Sequence, residues 1–288
     1  MIAALRRRAA FSTLLLVATF LAACVPPDAA TDLRRDYPEN TTMGLIQAAG
    51  EVLIGVPENA APLGSVSKEG GAKGLVPELG SFIADTLGVT PRWIAGTNSQ
   101  LIELVEGGSL DLAFVTNPLT EETVRAHNFA GPYYIGHQRL LVRAADERLQ
   151  GPVCAALNPE VGVDLTVTRP ALEVMSVPRI ELCRGLLESG AAASATALDS
   201  SLVRLKLELS KRWKITGDQL NTVGLGAVVP RGVPSFQRFV AAALSQAEQD
   251  EVWSRAYARF LEPYLGPSPP PPLTVEQAAA LHPTLVEH

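Results

Sequence analysis

The chain has 288 residues, of which 47% are hydrophobic, and a formal charge of −6. A hydrophobic share of that size excludes disorder as the main state. An acidic balance without clustered Lys or Arg excludes a nucleic-acid footprint and makes for poor adhesion to anionic lipid.

The first segment is a leader. Arg6, Arg7 and Arg8 precede an apolar run from Ala9 to Ala23, which closes on Leu21-Ala22-Ala23-Cys24. A basic start, a short apolar core and small residues before a cut site make a secretory signal over residues 1–23. The run falls short of the roughly 20 residues a stable span needs. A cysteine directly after Leu-Ala-Ala resembles the lipobox of bacterial lipoproteins, which implies a diacylated Cys24 as the first mature residue. The alternative is an ordinary signal with a chance cysteine. Loss of three arginines, with no acidic residue in the leader, takes the mature chain to −9. Residues 24–45 are rich in Pro, Asp, Thr and Asn and read as a lipid-anchored flexible spacer.

Beyond the spacer the pattern alternates strand and helix. Val52 to Val56 is a short apolar run ending at Pro57, a buried strand. Pro77 opens a helix with Leu79, Phe82, Ile83 and Leu87 at helical spacing, and Gly88 ends it. Pro91 to Ile94 is a second strand, Leu101 to Val105 a second helix stopped by Gly107-Gly108, and Leu110 to Val115 a third strand. Thr120 is a helix cap with Glu121 and Glu122 in the first turn. This order predicts an α/β unit with a mostly parallel sheet. A second unit begins near Arg139, with strands at 140–142 and 153–156. Helices follow over 181–187 and 202–213. A returning strand over 225–230 precedes helices over 236–249 and 252–261. Pro267 and Pro269 to Pro272 bar regular structure, and the tail beyond holds one marginal helix over 275–281 with low order expected.

Cys154 and Cys183 remain after Cys24. In an oxidising compartment such a pair reads as a disulfide, with two buried free thiols as the alternative. The pair is too small for a structural zinc site, and no histidine lies close in sequence. Four histidines are present, two of them (His282 and His288) in the tail. None forms a visible acid–base pair with a nucleophile, so no enzyme and no cofactor are expected.

The ordered segments resemble family 3 of the bacterial extracellular solute-binding proteins. The carriers are Gly74-Leu75-Val76-Pro77-Glu78-Leu79, Gly108-Ser109-Leu110-Asp111, the Thr120 helix leading to Phe129-Ala130-Gly131-Pro132-Tyr133-Tyr134, Gly226 to Gly232, and the closing Trp253, Tyr257 and Leu261. The resemblance implies a two-lobed α/β clamshell of the type II periplasmic-binding class. Two crossing segments, near 136–140 and 220–224, would join lobe one (46–135 plus 225–266) to lobe two (141–219), leaving 267–288 as a Pro-rich tail. It implies an extracytoplasmic monomer, anchored by lipid on Cys24, that delivers a small polar solute to the permease subunits of an ABC importer. It also implies a bridge between Cys154 and Cys183.

The three features with which the family holds an amino acid all depart here. The arginine of the helix after Thr120 falls on Thr123, and Arg125 lies about 200° round the helix. The lobe-two turn reads Asn158-Pro159-Glu160, where proline removes a donor. The aspartate for the α-amino group falls on Leu198, with Asp199 one residue away. The expected ligand is therefore amino-acid-like or cationic without the usual carboxylate clamp. The alternative is a degenerate clamshell acting as a sensor or partner subunit. Candidate ligand contacts follow strand ends, where α/β folds bind: Glu58, Asn59, Thr116, Asn117, Thr120, Tyr134 and Asp199. Each has a plainer role to set against it: a cap for Thr120, a turn for Asn117, a solvated loop for Glu58, packing for Tyr133 and Tyr134. Asp111 reads as structural.

Overall fold

A single strand organises the molecule. In the computed structural model, described for residues 33–58, 60–145, 151–156, 172–216, 219–268, 270–271 and 274–281, strand β6 (Phe129–Arg143) runs for 15 residues without a break. Its first part pairs antiparallel with β11 (Asn221–Val228), from Phe129 opposite Val228 to Gln138 opposite Asn221. Its last part pairs with β9 (Ser194–Leu198) on one edge and β10 (Trp213–Ile215) on the other. The whole sheet runs β4 (Thr90–Gly96), β1 (Glu51–Pro57), β5 (Leu112–Pro118), β11, β6, β9, β7 (Val153–Ala156), β8 (Val174–Val177), with β10 beside β6, while β2 (Ser65–Val66) and β3 (Ala72–Lys73) form a separate pair.

One half of that sheet is made of β1 (Glu51–Pro57), β4 (Thr90–Gly96) and β5 (Leu112–Pro118), parallel to one another, with β11 and β6 alongside. Helix α2 (Leu75–Leu87), whose αL cap is Gly88, covers one face together with α7 (Pro234–Gln249) and α8 (Val252–Phe260). Val52, Ile54, Leu79, Ile83, Leu225, Val240 and Trp253 share that core. Helix α3 (Asn98–Glu106) covers the opposite face. Asp111 accepts the Leu53 N–H at 2.7 Å, and its own N–H returns to the Leu53 carbonyl, so it fastens β1 to the start of β5. Burial raises its pKa.

The other half holds β7 (Val153–Ala156) and β8 (Val174–Val177), parallel to each other, with β7 also parallel to β9. A short 3-10 turn (Ile180–Leu182) leads into α5 (Cys183–Ser189), and α6 (Asp199–Glu208) follows β9 directly. Cys154 and Cys183 are joined by a disulfide, joining β7 to the start of α5. The expected helix over 202–213 is in fact earlier: it starts at Asp199 and stops at Glu208, because Trp213 turns inward as part of β10.

Two expectations about the ends need correction. Residues 33–45 are no spacer. Tyr37 is buried and meets Phe239 edge-on at 5.6 Å, and the Arg35 guanidinium lies over the Tyr37 ring. Thr41 then caps α1 (Thr42–Ala49), which buries Met43 and Ile46. Three apolar residues scattered among polar ones are enough to dock a short helix, yet too few to show a period. Nor is the tail free. After α9 (Glu262–Leu265), helix α10 (Val275–Ala279) carries a complete Thr274/Gln277 capping box and buries Val275, Ala278 and Ala279. Cys24, residues 1–32 generally, Asn59, Asn158-Pro159-Glu160, His282 and His288 lie outside the described residues. Among the described residues, no helix is long and apolar enough to cross a membrane.

Candidate functional site

The carboxyl ends of β1 and β5 bring together most of the residues chosen from sequence. Glu58 follows β1 and is exposed; its N–H is held by the Gly96 carbonyl at 3.0 Å, and its carboxylate is left to solvent. Thr116 is engaged already. Asn98, the first residue of α3, donates from Nδ2 to Thr116 Oγ1 at 3.0 Å and accepts the Thr116 N–H on Oδ1 at 3.1 Å. Asn117 is half-buried next to it, and among the described residues its side-chain amide holds no hydrogen bond. Among the described residues at these strand ends, Glu58 and Asn117 therefore remain open to a solute.

Thr120 caps α4 (Glu121–Ala126) in a reciprocal arrangement. Its Oγ1 accepts the Thr123 N–H at 3.1 Å, while Thr123 Oγ1 accepts the Thr120 N–H at 2.8 Å and donates to the Pro118 carbonyl at 2.9 Å. The Thr123 hydroxyl is thus consumed inside the turn. Arg125 pairs with Glu121 on the exposed side of the same helix, facing away from that turn.

Tyr134 and Asp199 do meet, but as partners of each other. The Tyr134 hydroxyl donates to Asp199 Oδ1 at 2.8 Å, the Ser200 N–H to the same oxygen at 2.7 Å, and the His137 N–H to Oδ2 at 3.0 Å. Asp199 is 2% exposed and is the first residue of α6 rather than the last of a strand. Burial pushes its carboxyl up to about 6, against the pull of those three donors. Burial, then the Asp199 charge, also drives the Tyr134 hydroxyl well above its ordinary range. Three internal donors already hold this carboxylate, and its burial keeps it from solvent. The expectation that these two residues are ligand contacts gives way to an internal tie between β6 and α6. Tyr133 likewise turns inward, donating to the Val115 carbonyl at 2.9 Å.

Sequence reasoning missed four members of this region. Asn98 orients Thr116, and only its place in the Thr97-Asn98-Ser99-Gln100 helix start hinted at a polar role. Thr222 on β11 meets His137 Nδ1 at 3.0 Å, a cross-strand pair visible only once the register is known. Burial and the charge of Arg139 lower the His137 pKa. Arg139 and Tyr257 stand by the Asp199 tie and reach the chain after α8: Arg139 Nη1 donates to the Leu265 carbonyl at 3.4 Å, and the Tyr257 hydroxyl to that of Gly266 at 3.0 Å. Among the described residues, no group of three or more His, Cys, Asp or Glu could hold a metal ion.

Comparison with known proteins bears on family and fold. Residues 52–263 match the model of a family described as bacterial extracellular solute-binding proteins, family 3. The glutamate-binding protein GluB of Corynebacterium efficiens is 28% identical over 116 residues, which is 37% of this chain and 40% of that protein. The matching stretch thus spans about two-fifths of that relative's length. The crystal structure of an ancestral amino acid-binding protein, a precursor of cyclohexadienyl dehydratase, superposes with a TM-score of 0.61 at 19% identity, covering 76% of this chain and 99% of that one. The solute receptor for L-cysteine of Neisseria gonorrhoeae gives 0.61 at 19%, covering 78% and 95%. At such identities the two structures speak for the fold, a two-lobed α/β clamshell.

Proposed function

The chain belongs to family 3 of the bacterial extracellular solute-binding proteins, and we propose that it is the substrate-binding lipoprotein of an ABC importer. In this reading Cys24 carries the lipid, residues 46–135 and 225–266 form one lobe, residues 141–219 form the other, and β6 and β11 are the two crossings. The solute is small, polar and amino-acid-like or cationic, and it binds without catalysis. The observation that carries the reading is the strand-end cluster: an exposed Glu58 carboxylate and an uncommitted Asn117 amide stand beside Thr116 and the α4 start. A bound carboxylate needs a cationic or N–H-rich partner, and here the Thr123 hydroxyl is spent on the Thr120 cap. That balance favours a ligand that presents positive charge or hydrogen-bond donors.

A second reading has its own support. The buried Asp199–Tyr134 tie commits a carboxylate to internal donors, as it would in a clamshell that has become a sensor or partner subunit.

Thermal unfolding of a soluble chain starting after Cys24, screened against α-amino acids, polyamines, guanidinium compounds and small peptides, separates the two. A ligand at 100 times its dissociation constant adds about 2.7 kcal/mol, roughly 5–10 °C for a protein of this size. A rise with cationic solutes supports the first reading. A rise with glutamate or another acidic amino acid alone refutes the cationic preference, and no rise with any compound moves the assignment to the second reading.

A further inference from the structure

The segment after α8 leaves one side of the sheet, touches the second half of the molecule, and returns to the other face of the first half. Helix α9 packs against α6 and β10, both in the second half. There the Lys206 ammonium lies 5.5 Å from the centre of the Tyr264 ring, and Arg139 on β6 holds the Leu265 carbonyl. The Tyr257 hydroxyl fixes Gly266 from α8. Nine residues, 266–274, separate α9 from the next helix. Helix α10 then packs against β11, β6 and α4. Its residues Val275, Ala278 and Ala279 share a core with Leu119, Val115 and Phe129, on the face opposite α2 and α8. The fit is closest at Gly224 of β11: a Cβ there would stand 2.6 Å from Ala278 Cβ and 3.3 Å from Leu119 Cδ1.

We propose that α9 and α10 are the two anchors of a strap that binds both halves of the clamshell across the crossing strands and restrains their relative motion. The proposal rests on the reading of β6 and β11 as the crossings between mobile lobes. Its first anchor, α9, holds α6 and β10. Its second, α10, holds β11 at Gly224 and the loop that carries Thr116 to Thr120. Bending at β6 and β11 changes the distance between these anchors, and because only nine residues join them, that change bears on one docking site or the other. The strap therefore couples the solute-facing loop of the first half to the disposition of the second.

The test compares the soluble chain with one that stops after Ser268. Nitroxides on Leu104→Cys in α3 and Leu207→Cys in α6, both exposed positions, report the distance between the halves. The expected result is a narrow distribution in the full chain and a broader one, with a second distance, in the shortened chain. Two distances with equal weights in both chains overturn the strap while leaving the two-lobed hinge intact. One fixed distance in both chains overturns the hinge reading, and the strap with it. A second measurement avoids truncation. Gly224→Ala should lower the melting temperature of the full chain by about 2–12 °C, the range overpacking gives for a protein of this size. In the shortened chain, where Ala278 is gone, the same substitution should cost less than half as much. Equal losses in the two backgrounds show that α10 is not seated at Gly224 and overturn the second anchor.

Discussion

The Tyr134–Asp199 tie offers the sharpest test of the electrostatics. Tyr134→Phe keeps the ring, which is 2% exposed, and removes only the hydroxyl that donates to Asp199 Oδ1 at 2.8 Å. With the carboxylate ionised, a hydrogen bond to a charged group is worth about 1.5–3 kcal/mol; with it protonated, the ordinary figure of about 1 kcal/mol applies. Burial holds the folded Asp199 carboxyl near 6, above its ordinary 3.8. A carboxyl raised in this way stabilises the fold most below the unfolded value, and that contribution is lost as pH rises through about 6. The hydroxyl offsets part of the loss, so its removal should hurt more at pH 7.5 than at pH 5. Urea unfolding of parent and variant at both pH values gives the two differences directly. The expected losses are about 1.5–3 kcal/mol at pH 7.5 and about 1 kcal/mol at pH 5. A loss at pH 5 equal to or larger than that at pH 7.5 refutes the view that Tyr134 stabilises a buried ionised carboxylate.

Three further outcomes are expected. Replacing Cys154 and Cys183 by alanine should cost about 3–4 kcal/mol by the entropy of closing a loop of 29-residue separation; a melting temperature within 2 °C of the parent would show that the second half does not depend on the bridge. Thr123→Arg gives up the reciprocal cap, about 1 kcal/mol, and supplies a guanidinium at the start of α4. Acidic α-amino acids should then shift the melting of this variant but not of the parent, and silence in both would remove Thr123 as the position that decides carboxylate capture. Glu248 on α7 is half-buried, and desolvation lifts its carboxyl to about 7, so its contribution to stability falls as pH rises through that value. Glu248→Gln should accordingly raise the melting temperature at pH 8.5 relative to the parent and leave it nearly unchanged at pH 5, and a larger gain at pH 5 would contradict the desolvated setting.

What could be read from the chain alone tracks the range of the forces involved. Helices α2, α3, α7 and α8 announce themselves through apolar spacing and stop signals, because those signals are local: Leu79, Phe82, Ile83 and Leu87 with Gly88 after them, and Gly107-Gly108 after Leu101 to Val105. Strand β6 was legible only at Leu140 to Val142. Its longer first part alternates less clearly, since it is an inner strand packed on both faces and carries Gly131, Pro132 and Gly136. The site divides in the same way. Thr120 was recognised as a cap, whereas Thr116 needed Asn98, 18 residues away, to reveal its engagement. Asp199 misled because one residue decides whether it closes a strand or opens a helix, and the answer lies with Tyr134, 65 residues earlier. The docking of α1 and α10 was missed for a different reason: each buries only two or three small or scattered apolar side chains, and what holds them is the shape of a distant surface.

The position of β11 sets the order in which the molecule can be assembled. It lies between β5 and β6 in the sheet, yet it is made from residues 221–228, after nearly all of the second half. As the chain emerges from a ribosome or a translocation pore, β5 and β6 appear early with the edges that will face β11 unpaired. Unpaired edges recruit foreign strands, and contacts that close over so long a stretch of chain form slowly. The second half, by contrast, can pair β9 with β6 and β7 without waiting for any later segment. A nascent chain halted near residue 215 would hold a folded second half beside an incomplete first one, and its hazard would be aggregation through β5. Completion depends on a late strand entering the middle of an early sheet.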